Sequence, residues 1–310
     1  MVEPVIPVNS VSIVGCGDIG CRVAELLSNP LHSDRALPKS AITGYTRSSA
    51  SLSRITKLGI GSQAFDLDTL IQDPLSSCPK YRQFHKQIVF YFAPPASEGT
   101  TDTRHRNWLT TLDSEYLPQR ILYISTTGIY GNQHGKHVNE LTTPNPQTDR
   151  ARRRLDAEHT LTEFSLQHGV EFIILRVPGI YGSSRLPRKR LENQIPILEP
   201  KLSPKTNHIH EDDLAQICVI AALKSNSGEV YNVSDEDNMT MSDYFIHIAK
   251  YLMLPIPPTV NWQDAEMTLS KSMLSYLKES RVIDNSKLIN ELGIILKYPS
   301  LSYFINYTDK

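Results

Sequence analysis

A short apolar run, Val11 to Val14, is followed at once by Gly15-Cys-Gly-Asp-Ile-Gly20 and then by Arg22-Val-Ala-Glu-Leu-Leu27, whose apolar positions recur at helical spacing. Strand, glycine turn and helix are predicted in that order. Further strand patterns lie at residues 41–46, 87–92, 120–125 and 172–177, with helical patterns between most of them. Such alternation predicts an α/β protein with a doubly wound parallel sheet, because each parallel crossover must travel back over one face of the sheet. Order loosens through residues 182–207, rich in Pro and Arg, before a helix over 211–224 and a strand over 229–233. Helical patterns at 241–252 and 269–277 flank a proline-rich turn at 255–258. The expected division is a sheet domain of residues 1–181 plus 208–234, and a smaller, mostly helical C-terminal substrate lobe of residues 182–207 and 235–310.

The glycine turn carries the first chemistry. In a G-x-G-x-x-G turn between strand and helix, Gly15 permits the tight turn, Gly17 lets the backbone approach a pyrophosphate, and Gly20 lets helix pack on strand. Asp18 and Ile19 open the helix, whose free N–H groups and positive dipole end suit phosphate. The expected sheet is therefore of the Rossmann type, with a nicotinamide dinucleotide as cofactor; a chance glycine-rich turn is the alternative. Where the second strand ends, Thr46-Arg47-Ser48 stands in place of the usual acid. A guanidinium there suits a 2′-phosphate, so NADP is expected before NAD, against the alternative of a surface arginine. Gly20 and Arg47 are 27 positions apart instead of about 20, an excess that the polar stretch 29–40 accounts for as an inserted loop. Asp66 and Leu67, after the third strand, are candidates to border the adenine.

Composition narrows the partners. The 310-residue chain is 40% apolar and 21% charged, and 32 basic against 33 acidic side chains leave no overall field for nucleic acid or an anionic membrane. A small-molecule substrate is the expected partner. Cys16, Cys21, Cys78 and Cys218 show neither a C-x-x-C pair nor zinc spacing, so reduced thiols in the cytoplasm are expected. The chain starts without the basic region of a signal peptide and has no apolar run of about 20 residues, so no membrane association is expected.

Several ordered pieces resemble the extended short-chain dehydrogenase/reductase superfamily, in particular the atypical members of its NAD(P)-dependent epimerase/dehydratase group. Besides the glycine turn they are Tyr91-Phe-Ala-Pro-Pro95, Ser125-Thr-Thr-Gly-Ile-Tyr-Gly131 and Arg176-Val-Pro-Gly-Ile-Tyr-Gly182. His208-Ile-His-Glu-Asp-Asp-Leu214, Ser280-Arg-Val-Ile-Asp-Asn285 and Glu291-Leu-Gly293 follow in the family's order. The resemblance implies cofactor contacts at Ala93, Pro94 and Pro178, and helices near 102–117 and 150–167 at dimer positions, which makes a homodimer an expectation. It also implies a Ser or Thr after the fifth strand, matched by Thr126, and then Tyr-x-x-x-Lys on the next helix. Placed at Thr148 and Arg152, that motif has lost both tyrosine and lysine. A threonine hydroxyl does not titrate in the accessible range, whereas an arginine still bonds a nicotinamide ribose.

Replacement acids are sought at Tyr130 and Tyr181, and after them at His134 or His137. Arg150, Arg152, Arg153 and Arg154 form one basic cluster, and Arg185, Arg188, Lys189 and Arg190 a second; either suits a diphosphate or carboxylate substrate. Arg185 and Arg190 are the substrate candidates, while Arg153 and Arg154 read as a solvated helix face. No metal is expected: His208, His210 and the acids at 211–213 mark a helix start, where acids complement the dipole. Two functions follow as expectations. One is NAD(P)-dependent hydride transfer, of oxidoreductase or epimerase/dehydratase kind, on a small or nucleotide-linked carbonyl/hydroxyl substrate; the other is a non-catalytic NADP-binding regulator or redox sensor.

Overall fold

A computed structural model describes residues 8–30, 36–69 and 82–308; Cys78 lies outside them. Seven parallel strands form the central sheet: β1 (Val11–Val14), β2 (Ile42–Thr46), β3 (Gly61–Ala64), β4 (Ile88–Tyr91), β5 (Arg120–Thr126), β6 (Glu171–Val177) and β7 (Glu229–Asn232). Their spatial order is β7-β6-β5-β4-β1-β2-β3. The order reverses between β1 and β4, and at that point the loops after the two strands part to leave a crevice at their carboxyl ends. All four residues of β1 and of β4 are buried, as expected of strands covered on both faces.

Helices α1 (Asp18–Ser28) and α2 (Ser49–Leu58) cover one face, with α5 (Glu211–Lys224) and α8 (Ser286–Leu292). On the other face lie α3 (Thr103–Thr111) and α4 (Asp149–His168). Local sequence sets their ends. Ser48 caps α2 and Thr148 caps α4, each accepting a backbone N–H, and both helices stop at a left-handed glycine, Gly59 or Gly169. His210 caps α5 through Nδ1, which accepts the Asp212 N–H, and Glu211, Asp212 and Asp213 fill the first turn.

The C-terminal part divides. Helices α6 (Met241–Tyr251) and α9 (Leu301–Thr308) close a separate core of Tyr181, Leu191, Tyr244, Phe245, Leu301 and Phe304. A short helix α7 (Lys271–Leu277) packs through Leu277 into a smaller cluster with Leu198, Ala265 and Leu269. Residues 282–294 instead return to the sheet domain: Val282–Ile283 pairs with His137–Val138, and Leu288, Leu292 and Ile294 join the core under α1 and α5.

A buried ion pair staples the strands beneath the crevice. Arg176 of β6 meets Glu158 of α4 at 2.9 Å, Glu158 also accepts the Ser125 hydroxyl of β5, and Arg176 donates to the Tyr130 hydroxyl at 2.8 Å. Nearby His105 is enclosed by Tyr91, Trp108 and Tyr123, and neither ring nitrogen has a hydrogen-bond partner among the described residues. Burial holds its imidazole down to about 3. A histidine depressed in the folded state makes the unfolded chain the better proton binder below about pH 6.5, so stability falls as pH drops from there toward 3. His105→Phe is expected to raise stability at pH 7 by about 1–3 kcal/mol, since two unpaired ring nitrogens leave the core. Between pH 6 and 4 it should flatten the pH dependence by about 1.4 kcal/mol per unit. Urea unfolding at several pH values tests both, and an unchanged slope would refute the account.

Candidate functional site

The glycine turn meets the crevice at the sheet's reversal point. Gly15 has φ +80°, and a Cβ there would stand 2.3 Å from the Ala93 backbone nitrogen in the loop after β4. A Cβ on Gly20 would press on Ile13 and Cys16 at 3.0 and 3.1 Å, the close strand–helix contact. Gly17 differs: among the described residues its Cβ would meet nothing nearer than the Gly15 carbonyl at 3.9 Å, and no side chain of theirs caps α1. Backbone N–H groups at the start of α1 therefore face open space that a phosphate fits. Ile19 is buried at the same turn, and Asp18 stands on its rim.

Asp18 is engaged by arginines. It pairs with Arg22 at 3.3 Å and with Arg185 at 3.1 Å, and Arg22 and Arg185 both also bind Glu211, at 2.7 and 3.0 Å. Arg185 was expected at the substrate; it is instead a clasp between the loop after β6 and the glycine turn, 167 positions away in sequence.

At the adenosine end, Arg47 pairs with Asp68 at 2.8 Å and lies 3.9 Å from Asp66. Arg104 bonds both oxygens of Asp68, and its hydrogen bonds are foremost in holding that carboxyl below the usual range. Arg104 also donates to the carbonyls of Pro94 and Pro95 at 3.2 Å, which ties this edge to the loop after β4. Leu67 is buried beside it, and the Ser48 hydroxyl is committed to the α2 cap.

Between the strand ends and the helical lobe lies a cavity of about 600 Å³. Thr126, at the end of β5, lines it together with Pro178, Arg150 and Arg154. Thr126 Oγ1 accepts the Gly128 N–H at 3.1 Å, which leaves its own proton to donate elsewhere. The first turn of α4 leans on this loop, for a Cβ on Gly128 would lie 3.7 Å from Ala151 Cβ.

Register corrects the expected motif. Thr148 is the cap of α4 and Arg152 points outward to Asp149 at 2.7 Å, so neither reaches the cavity. Arg150 and Arg154, four residues apart, are the arginines of α4 that line the cavity, two residues beyond the expected Thr148 and Arg152. Arg154 donates to the Tyr123 hydroxyl at 3.1 Å and the Ile124 carbonyl at 2.9 Å. Arg153 is buried against the Gly99 carbonyl. Thus Arg153 and Arg154 are not the solvated face that their charge suggested.

The proposed replacement acids also move. Tyr130 is fully buried, its hydroxyl held by Arg176 and donating to Asn232 at 2.8 Å. Tyr181 is fully buried, its hydroxyl 3.5 Å from the Tyr298 carbonyl. Burial raises both phenols, opposite to what proton transfer at neutral pH needs. His134 and His137 lie on the turn and short strand beyond β5, outside the cavity wall. Arg190 stacks on Phe245 at 4.6 Å and donates to the Pro196 carbonyl, so it is a packing residue of the lobe instead of a substrate ligand.

Three cavity residues were not foreseen: Lys205, Arg281 and His208. Lys205 and His208 come from one segment, His208 opening the short strand His208–His210, and Arg281 lies 73 positions beyond His208. His208 stacks on Tyr244 at 4.0 Å, and burial holds it down to about 3, hence neutral.

Comparisons with known proteins agree with the fold. Residues 103–234 match the model of the NAD dependent epimerase/dehydratase family. Protein YeeZ of Escherichia coli K12 is 26% identical over 180 residues, 58% of this chain and 59% of that protein, so the match spans about three-fifths of the relative. A functionally unknown conserved protein of Silicibacter pomeroyi has a similar fold, with TM-score 0.74 and 22% identity over 97% of this chain and all (100%) of that one. UDP-glucose 4-epimerase of Thermus thermophilus, solved with NAD, gives TM-score 0.71 and 19% identity over 96% of each chain. The matched segment, residues 103–234, holds the strand-five threonine and is similar to the NAD dependent epimerase/dehydratase family, and the Rossmann sheet with its glycine turn accords with that similarity.

Proposed function

We propose that this protein transfers hydride between a nicotinamide dinucleotide, NADP in preference to NAD, and a carbonyl/hydroxyl substrate held in the cavity. The observation that carries the reading is the placement of Thr126, Arg150 and Arg154 on one cavity wall at the strand ends. When bound, the dinucleotide supplies or accepts the hydride; the protein supplies position and charge. Thr126 has a hydroxyl proton free to hold the substrate oxygen. Arg150 acts on that oxygen as a fixed positive charge that stabilises a developing alkoxide, in place of a phenol. The alkoxide's proton then comes from solvent.

For the cofactor's phosphate, Arg47 is the replaceable partner of Asp68, because Arg104 alone bonds both of its oxygens. Arg47 is then available for a 2′-phosphate beside the N-terminus of α2. The burial of both candidate phenols favours the second reading, a non-catalytic dinucleotide-binding regulator.

Fluorescence titration with NADPH and NADH, followed by deuteride transfer from 4-deuterated cofactor to a carbonyl panel, separates the two. Arg47→Ala is expected to weaken NADPH by about tenfold or more, equivalent to the loss of a charge-assisted hydrogen bond, and to leave NADH within about twofold. Tight binding with no deuteride transfer to any carbonyl would favour the regulator. No binding of either nucleotide would reject both readings.

A further inference from the structure

We propose that the cavity takes a small 2-oxo acid, or the matching 2-hydroxy acid, with the carboxylate beside the reacting carbon held by Arg150 and Arg154 and an apolar side chain against Met241, Tyr244 and Phe245. The identity of the reaction rests on the hydride-transfer reading above; the binding of the acid does not.

Charge carries the first step. Four cationic side chains border the cavity, and Arg281 is neutralised by Glu279 at 2.8 Å. Arg150, Arg154 and Lys205 have no carboxylate at ion-pair distance among the described residues. Their polar partners are neutral: the Ser275 hydroxyl at 3.1 Å for Arg150, Tyr123 and the Ile124 carbonyl for Arg154, and the Asn238 carbonyl at 2.6 Å for Lys205. Lys205 is exposed and Arg150 partly so, while Asp102 acts on Arg154 only through space, so an anion entering this wall meets three cations that have no ion-pair partner among the described residues to give up.

Position carries the second. The Arg150 guanidinium carbon sits over the Tyr276 ring of α7, 3.8 Å from its centroid, a contact that restrains its fork. Arg154 follows one helical turn later, hydrogen-bonded to the end of β5, the strand that presents Thr126. Both cations therefore flank the point where Thr126 holds the reacting oxygen. An anion carried many bonds away from the reacting carbon would not neutralise them. In a 2-oxo acid the carbonyl oxygen and one carboxylate oxygen can lie side by side, a match for a planar fork.

Size and polarity carry the third. The cavity of about 600 Å³ is also bordered by Pro178, where the nicotinamide end is expected, so little of it remains for substrate. Its far wall is Met241, Tyr244 and Phe245, which suits an aryl or branched alkyl group. In the reduction, hydride from the reduced dinucleotide forms the C–H bond at C2. The carbonyl π pair moves to oxygen, that oxygen takes one proton from solvent, and the products are a 2-hydroxy acid and the oxidised dinucleotide.

The probe is oxamate, a 2-oxo acid analogue that accepts no hydride, titrated calorimetrically into the full chain with and without NADPH, beside inorganic phosphate and uridine diphosphate. Oxamate is expected to bind and the other two to bind at least tenfold more weakly. Arg150→Met should weaken oxamate tenfold or more, and Arg150→Lys should restore only part of the loss, with thermal denaturation confirming that both variants fold. Oxamate binding without turnover of any 2-oxo acid would keep this assignment while removing hydride transfer. Failure of oxamate to bind, oxamate binding indifferent to Arg150→Met, or preference for uridine diphosphate would overturn it, even if nucleotide-linked carbonyls prove to be reduced.

Discussion

Gly15→Ala is expected to destabilise the whole fold, whereas Gly17→Ala is expected to leave stability nearly unchanged and to abolish dinucleotide binding. At Gly15 the backbone is left-handed and a methyl would sit 2.3 Å from the Ala93 nitrogen, so strand β1 and the loop after β4 must part. Backbone strain costs about 1–3 kcal/mol and overpacking about as much again, so roughly 2–6 kcal/mol is expected. At Gly17 a methyl meets no protein atom closer than 3.9 Å, but it fills the space in front of the N-terminus of α1. Denaturant midpoints and NADPH titration of the two variants separate the effects. Equal stability of both variants would contradict the account.

Arg176→Met is the second large effect. It leaves Glu158, which has 5% side-chain exposure, without its counter-charge, and removes the donor to Tyr130. Breaking a buried pair from one side costs about 3–5 kcal/mol, much of it the penalty of the stranded carboxylate. The double variant Arg176→Met with Glu158→Leu should recover most of that loss in urea unfolding. A double variant no more stable than the single one would mean that packing of the arginine stem, and not the stranded charge, sets the cost.

The sheet was legible in the sequence because its information is local. Apolar runs such as Val11–Val14 and the turn at Gly15–Gly20 state their own structure, and Glu211–Lys224 carries its own start signal of acids after a capping histidine. The site was less legible. The arginines of α4 that reach the cavity lie two positions beyond the expected Thr148 and Arg152. Reading the stripe Leu161, Ala157 and Arg154 backward along the helix would have given Arg150. Thr148, an N-cap three residues before a paired backbone N–H, was a second local signal. Other features had no local signal at all. Arg185 looks like a free loop cation until the fold delivers Asp18 and Glu211 to it, and Lys205 and Arg281 meet α4 only through tertiary structure. The roles of Tyr130 and Tyr181 turned on burial, which a Tyr-Gly pair in a loop does not reveal.

The cations of the cavity wall belong to a chain whose formal net charge is −1, and that contrast has a kinetic meaning. A molecule with balanced charge draws no anion from afar, and at physiological salt fields fade over about 8 Å. Arg150, Arg154 and Lys205 therefore act only on a solute already at the mouth: the encounter rate is ordinary diffusion, nearly indifferent to ionic strength. Selection happens afterwards, in how long each solute stays, and the wall sorts by residence time instead of by recruitment.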